Sequence, residues 1–352
     1  MPAMSRATPY QKWSGQKGEL IRMNWNKARK WVGVLLIGAM AAGCGNTAKP
    51  AAETKGAPQK LAVGASLYTL AEFARQVGGD RVTVTQFIPQ GVEPHDWEPT
   101  PKDLAKLQGQ KVFLYNGKGL EPWIENAKKA SAEKQVAFVE ASRGIASLTM
   151  IAEEDEHDQK DAAKQESSAK DQTPEMVEDP HVWLDPLLAK QQVNTIKDAL
   201  IQADPDGKTY YEERAAAYSK ELDKLDADYR AMIAKATQKD FVTTHAAFGY
   251  MAKRYGLQQL AIMGVSPHAE PTPADMAKLV NEVKEHQIKT IFFETLISPK
   301  LAETIAQQTG AKTLVLNPIE GLTPDDVQRN DNYITLMRRN LENMSIALQV
   351  KQ

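Results

Sequence analysis

The chain has 352 residues, with 43 Lys and Arg against 45 Asp and Glu, a net charge of −2, 42% hydrophobic residues and a single cysteine. The length allows one large or two medium domains, and the composition is neither that of a disordered chain nor that of a collagen. The near-even charge argues against general nucleic-acid binding, and one cysteine excludes an intrachain disulfide framework and a cysteine-rich zinc or iron–sulfur site.

The one long apolar run extends from Trp31 to Met40, after Lys27, Arg29 and Lys30 and before Ala41, Ala42, Gly43 and Cys44. Basic, apolar and small-residue regions in that order predict a secretory signal peptide over 1–43. The run is too short to span a bilayer, which takes about 20 apolar residues. Met23 would start a leader of ordinary length, and the polar residues before it show no periodicity. The small residues running into Cys44 resemble a bacterial lipobox, in which the cysteine is lipidated; an ordinary buried cysteine is the alternative. Residues 45–60, rich in Ala, Lys, Pro, Thr and Gly, predict a flexible tether, so 44–60 reads as lipidated cysteine plus linker. Residues 1–43 carry seven Lys and Arg and one Glu, so 43 against 45 becomes 36 against 44 beyond them, a net charge of −8.

From Leu61 short apolar runs alternate with amphipathic stretches. Strands are expected over 61–65, 82–88, 112–115 and 136–139, with helices over 67–77, 102–107 and 122–130. The acidic, low-complexity stretch 153–179 breaks the rhythm and predicts a surface insertion. A helix over 187–203 ends before Pro205. Asp206 can cap a longer one running to about Ala236, with Tyr211, Ala215, Tyr218, Leu222, Leu225, Tyr229, Met232 and Ile233 as its apolar stripe. About thirty helical residues would span about 45 Å. Strands over 241–244, 259–263, 290–293 and 313–316 then alternate with helices over 247–255, 274–285, 299–308 and 330–348. The expected fold class is α/β, with two lobes (61–204 and 237–352), each a mainly parallel sheet flanked by helices, joined by one long rigid helix over 205–236. The halves look alike in plan without a residue-level repeat. Ligands of such folds sit beyond the carboxyl ends of strands and, in two-lobed proteins, between the lobes.

Three of the six histidines stand where a strand or its loop ends. His95 lies in Gly91-Val-Glu-Pro-His-Asp-Trp-Glu-Pro-Thr-Pro101, His181 in Asp179-Pro-His-Val-Trp-Leu-Asp-Pro186, and His245 just after 241–244. Glu294 ends the apolar strand 290–293, where a buried carboxylate needs a partner. Three imidazoles and a carboxylate make a plausible tetrahedral zinc set, and three nitrogens disfavour Mg²⁺ and Ca²⁺. Spacing alone is a weak signal, since each histidine taken singly reads as structural or solvated. Asp185 either orients a ligand imidazole or caps the following helix. His157 lies in the acidic insertion, His268 in a Pro-rich turn and His286 at a helix end, and none of them reads as a ligand. No HExxH motif, Gly-x-Ser-x-Gly elbow or phosphate-binding glycine loop is present, so no enzyme is indicated.

The segments around His95 and His181, together with Val242-Thr-Thr-His-Ala-Ala-Phe-Gly-Tyr250 and Phe293-Glu-Thr-Leu-Ile-Ser-Pro299, resemble the zinc-specific substrate-binding lipoproteins of bacterial ABC transporters. The likeness runs from about residue 61 to 350. It implies two α/β lobes bridged by a long helix, Zn²⁺ held between them by His95, His181, His245 and Glu294, and small lobe movements rather than wide closure. It also implies a monomer anchored through Cys44 to the extracytoplasmic face of the cell membrane, an ABC permease with its ATPase as partner, and no nucleic acid. Manganese-type relatives tend to carry a carboxylate at the third position, where this chain has His245. A manganese-binding transport component and a lipid-anchored surface adhesin are the alternative readings. Three imidazole ligands imply loss of zinc below about pH 6.

Overall fold

Four apolar runs of the N-terminal half become β1 (Leu61–Ala65), β2 (Val82–Gln86), β3 (Val112–Tyr115) and β4 (Ala137–Glu140), with helices α1 (Tyr68–Gly78), α2 (Pro101–Leu107) and α3 (Ile124–Ala130) between them. The computed structural model describes residues 60–151, 176–267 and 271–351, all within one compact unit spanning 55–352. The leader, Cys44, the tether up to residue 59, His157, residues 152–175 of the insertion and His268 lie outside the described residues. The insertion is flanked by β5 (Thr149–Ile151) and β6 (Met176–Glu178), which pair antiparallel. Its final residues are therefore ordered strand rather than surface loop, and Asp179 directly after them is fully buried.

Two helices follow, α4 (Pro186–Ala203) and α5 (Lys208–Ile233). The second half then repeats the alternation as β7 (Asp240–Thr243), α6 (Gly249–Tyr255), β8 (Gln258–Ala261), α7 (Pro273–Glu285), β9 (Thr290–Phe293), α8 (Lys300–Thr309), β10 (Lys312–Val315), α9 (Pro324–Gln328) and α10 (Tyr333–Ala347). Both four-stranded sheets are wholly parallel. Their orders are β2-β1-β3-β4 and β8-β7-β9-β10. Counted from the first strand of each lobe, both read second, first, third, fourth, so the likeness in plan is a shared topology.

A parallel sheet is covered on both faces, which is why β3 is apolar at every position. Val112 and Leu114 face one core cluster, Phe113 and Tyr115 another, as the two-residue period of a strand requires. In the second sheet, Phe241 and Phe292 join the first cluster, while Val242 and Ile291 face a third. One large core thus runs between the two sheets, and each sheet has a smaller core on its outer face.

Helix α5 lies in that shared core. Its stripe of Tyr211, Ala215, Tyr218, Leu222, Leu225, Tyr229 and Ile233 is buried, while Met232 is only partly covered. At 26 residues it is about 39 Å long. Asp206 does not cap it: Pro205–Gly207 forms a 3-10 turn and Gly207 is the capping position. The acid that secures this end is Asp204, which accepts from the Tyr211 hydroxyl (2.6 Å) and from Arg81 Nε (2.9 Å). At the other end the Tyr229 hydroxyl donates to Met337 O in α10 (2.8 Å), and its ring stacks on Tyr255.

Leu222 is fully buried in the core that both lobes share. Leu222→Ala should therefore cost about 2–5 kcal/mol. Both lobes should melt earlier in one transition, followed by far-ultraviolet circular dichroism and tryptophan fluorescence. Separate transitions for the two signals would contradict a common core.

Candidate metal centre

Each site residue is presented by a short local device. Glu93 caps a 3-10 turn over Pro94–Asp96 by accepting from the His95 N–H (3.3 Å). The Thr100–Asp103 capping box then starts α2 with Pro101 in its first turn, so the chain leaves the His95 turn along a fixed path. His181 precedes a second such turn, Val182–Leu184. Asp179 Oδ1 accepts from both its backbone N–H and its ring Nδ1, each at 2.9 Å. His245 lies two residues beyond the end of β7. Its backbone N–H donates to Glu294 Oε1 (2.8 Å), and its ring Nδ1 pairs with Glu294 Oε2.

These devices turn three Nε2 atoms toward one point. His181 Nε2 is 3.3 Å from His95 Nε2 and 3.3 Å from His245 Nε2. Glu320 Oε1 lies 3.1 Å from His181 Nε2, 3.5 Å from His95 Nε2 and 3.9 Å from His245 Nε2. Ligands about 2.0–2.1 Å from a tetrahedral ion stand about 3.3 Å apart, which the separations around His181 Nε2 match, and all four atoms lie within 4.8 Å of one another. Among the described residues, His95, His181, His245 and Glu320 form the group able to hold a metal ion. The side chains of His181, His245 and Glu320 are fully buried, and His95 alone retains some exposure at 8%.

The site's charges answer to this crowding. Burial opposes a positive charge on His181, but hydrogen bonds to Asp179 and Glu320 outweigh it and push its pKa up to about 10. Burial lowers His95. Burial also works against the Glu320 carboxylate, yet the imidazoles of His181 and His95 hold it well below the usual range. Glu93, buried beside the Glu320 charge, is pushed up to about 9.

The structure places Glu294 away from the Nε2 cluster, and of the two roles open to Asp185 it shows the helix cap. Glu294 does reach the site, but its carboxylate lies on Nδ1 of His245, and the two ring nitrogens point in diverging directions. It orients the imidazole, and the carboxylate beside the Nε2 atoms belongs to Glu320. Glu320 stands in Asn317-Pro-Ile-Glu-Gly321, just past β10. The signal that marks Glu294, an acid directly after an apolar strand, does not extend to Glu320, which lies five residues past β10. Asp185 orients no ligand imidazole. Its Oδ1 accepts from the N–H groups of Leu187 (2.9 Å) and Leu188 (3.3 Å) as the cap of α4, and its Oδ2 accepts from Arg254 Nε (2.6 Å). Asp179 supports His181 instead. His286 is remote from the group and pairs with Asp240 Oδ2 (2.7 Å), which raises its pKa.

The two aspartates separate site support from helix support. Asp179→Asn should weaken metal binding by about 10–100-fold. Asp185→Asn should cost about 1 kcal/mol of stability and leave metal affinity within a factor of about two. Chelator competition and chemical denaturation on both variants would measure this; equal affinity losses would contradict the assignment.

Residues 63–347 match the family model "ZnuA: Zinc-uptake complex component A periplasmic". The chain is 42% identical over 327 residues to the high-affinity zinc uptake system protein ZnuA of Bacillus subtilis, covering 92% of this chain and 99% of that protein. It is 39% identical over 289 residues to the zinc-binding lipoprotein AdcA of Streptococcus pneumoniae, covering 82% of this chain but 56% of AdcA, so it spans about half of that longer relative. The solved Zn(II)-bound ZnuA-like domain of the same AdcA superposes with a TM-score of 0.68 at 37% identity, over 82% of this chain and 99% of the domain. With most of its length matched by the family model and nearly the whole of a curated relative covered, the chain belongs to the family of ZnuA zinc-uptake components.

Proposed function

We propose that this protein captures Zn²⁺ through Nε2 of His95, His181 and His245 and a carboxylate oxygen of Glu320, then passes the ion to an ABC permease energised by its ATPase. The observation that carries the reading is the mutual spacing of the four ligand atoms. Four protein ligands complete a tetrahedron and leave no coordination position for a reacting water, so the site suits an ion as cargo rather than as catalyst. Three imidazole nitrogens with one oxygen favour zinc over manganese, which prefers oxygen-rich sets. His95, at the exposed edge, is the side from which the ion enters and leaves.

The same reading anchors the protein by lipid on Cys44 at the extracytoplasmic face of the membrane, with the mature chain as a monomer. The support for the anchor is the leader pattern and the lipoprotein name of the pneumococcal relative. No helix among the described residues is long and apolar enough to cross a membrane.

Native metal analysis tests the ligand set. The purified protein should carry one Zn²⁺ per chain, and His245→Ala should lose it. Glu294→Gln should keep the ion with affinity reduced by about 10–100-fold, as for a group that orients a ligand. Stoichiometric zinc in His245→Ala would sink the reading.

Proton release tests the electrostatics. Without the ion His181 holds a proton up to about pH 10, and zinc binding needs its nitrogen free. The proton is bound in the metal-free state and lost on binding, so affinity should rise about tenfold per pH unit between about 7 and 10. Calorimetry at pH 7.5 in buffers of different ionisation enthalpy should show one proton released per zinc; identical heats in all buffers would contradict it.

A further inference from the structure

Glu320 sits on a loop that no sheet or helix ladder defines, and side chains define it instead. Three successive carbonyls each accept from a different side chain. Asn340 Nδ2 donates to Asn317 O (2.7 Å), the Trp183 indole N–H to Pro318 O (2.7 Å), and the Thr69 hydroxyl to Ile319 O (2.6 Å). Asn317 N–H donates back to Asn340 Oδ1 (2.8 Å), and Ile319 N–H donates to Asn317 Oδ1 (2.7 Å). Asn340 belongs to α10 in the same lobe as Glu320, whereas Thr69 in α1 and Trp183 come from the N-terminal half. The Tyr333 hydroxyl donates to Trp183 O (2.5 Å), so the clasp closes in both directions across the lobe boundary.

The loop needs such a clasp. Ile319 has φ +58°, in the left-handed region that a β-branched side chain disfavours. A conformation of that kind persists where its surroundings over-determine it. Ile319 is also fully buried, so its carbonyl has no water to replace a lost partner.

We infer that Thr69 and Trp183 are positioning residues for the metal. They hold the strained Pro318–Ile319 turn so that the Glu320 carboxylate meets the three imidazoles, and the oxygen ligand of one lobe is thereby set by donors from the other. The inference rests on Glu320 being a zinc ligand. Parting the lobes at this seam removes two of the three clamps, and the oxygen ligand is then the first to withdraw. Trp183 also packs edge-on against the His181 ring, with centroids 5.3 Å apart, so Thr69 is the cleaner probe.

The test is a zinc-affinity cycle by chelator competition on wild type, Thr69→Val, Thr69→Ser, Glu320→Ala and Thr69→Val/Glu320→Ala, with the cobalt(II) spectrum of each. Thr69→Val keeps the side-chain volume and removes the hydroxyl. It should lower affinity about tenfold and shift the cobalt spectrum toward that of Glu320→Ala, while Thr69→Ser should restore affinity to within about threefold of wild type. In the Glu320→Ala background, Thr69→Val should change affinity by less than about twofold, because the group it acts through is gone. An undiminished affinity in Thr69→Val, or the same tenfold loss in both backgrounds, would overturn the clasp while leaving the ligand set standing. Unchanged affinity in Glu320→Ala would overturn the ligand reading and the clasp with it.

Discussion

Three imidazole nitrogens and a carboxylate oxygen held within 4.8 Å of one another, away from water, are costly to assemble. Each imidazole has given up hydration, and the nitrogens face one another with few protons to place between them. The chain meets this cost from behind. Asp179 takes the Nδ1 side of His181 and Glu294 that of His245, which keeps Nε2 turned inward. Within the cluster His181 keeps its proton and its Nε2–H donates to Glu320 Oε1 (3.1 Å), so an ion pair occupies the place where a divalent cation would compensate the same atoms. The outer carboxylates fix ring orientation, and the inner one completes the set.

The shared strand order explains where such a group can be built. In each sheet the first and third strands neighbour one another while their connections leave to opposite sides, which opens a crevice at their carboxyl ends. In the C-terminal lobe that crevice holds His245, after β7, and Glu294, after β9. In the N-terminal lobe the residues directly after β1 and β3 are Ser66 and Asn116, and the buried Glu121 binds both. Its carboxylate accepts from the Ser66 hydroxyl (2.6 Å), Asn116 N–H (2.8 Å) and Gly117 N–H (3.0 Å). Asn116 Nδ2 in turn donates to Pro180 O (2.9 Å), beside His181. One crevice therefore supplies a ligand with its support, and the other steadies the segment that brings a second ligand. The common helical core, with α5 along it, holds the two crevices together.

Much of this was legible in the sequence because it is local. The short continuous apolar runs of β3 and β9, the amphipathic stripe of α5 and the histidines placed just past strand ends depend on side chains near one another along the chain. The antiparallel β5–β6 pair was not legible. Its strands are three residues each, Met176 and Glu178 are exposed, and pairing across the insertion leaves no periodic trace.

The acids mark the same boundary within the site. Residue types and spacing alone pointed to His95, His181, His245 and Glu294, with Asp185 beside them. They passed over Glu320, which lies in a loop five residues past β10, and Asp179, because neither stands where a local pattern marks an acid for use. Two α/β halves, a long helix between them and a nitrogen-rich set of candidate ligands follow from local residue pattern. Which carboxylate faces Nε2 and which faces Nδ1 follows from the packing of distant segments. That choice depends on how β9 lies between β7 and β10, and on side chains such as Thr69 and Trp183 that reach the Glu320 loop from more than a hundred residues away.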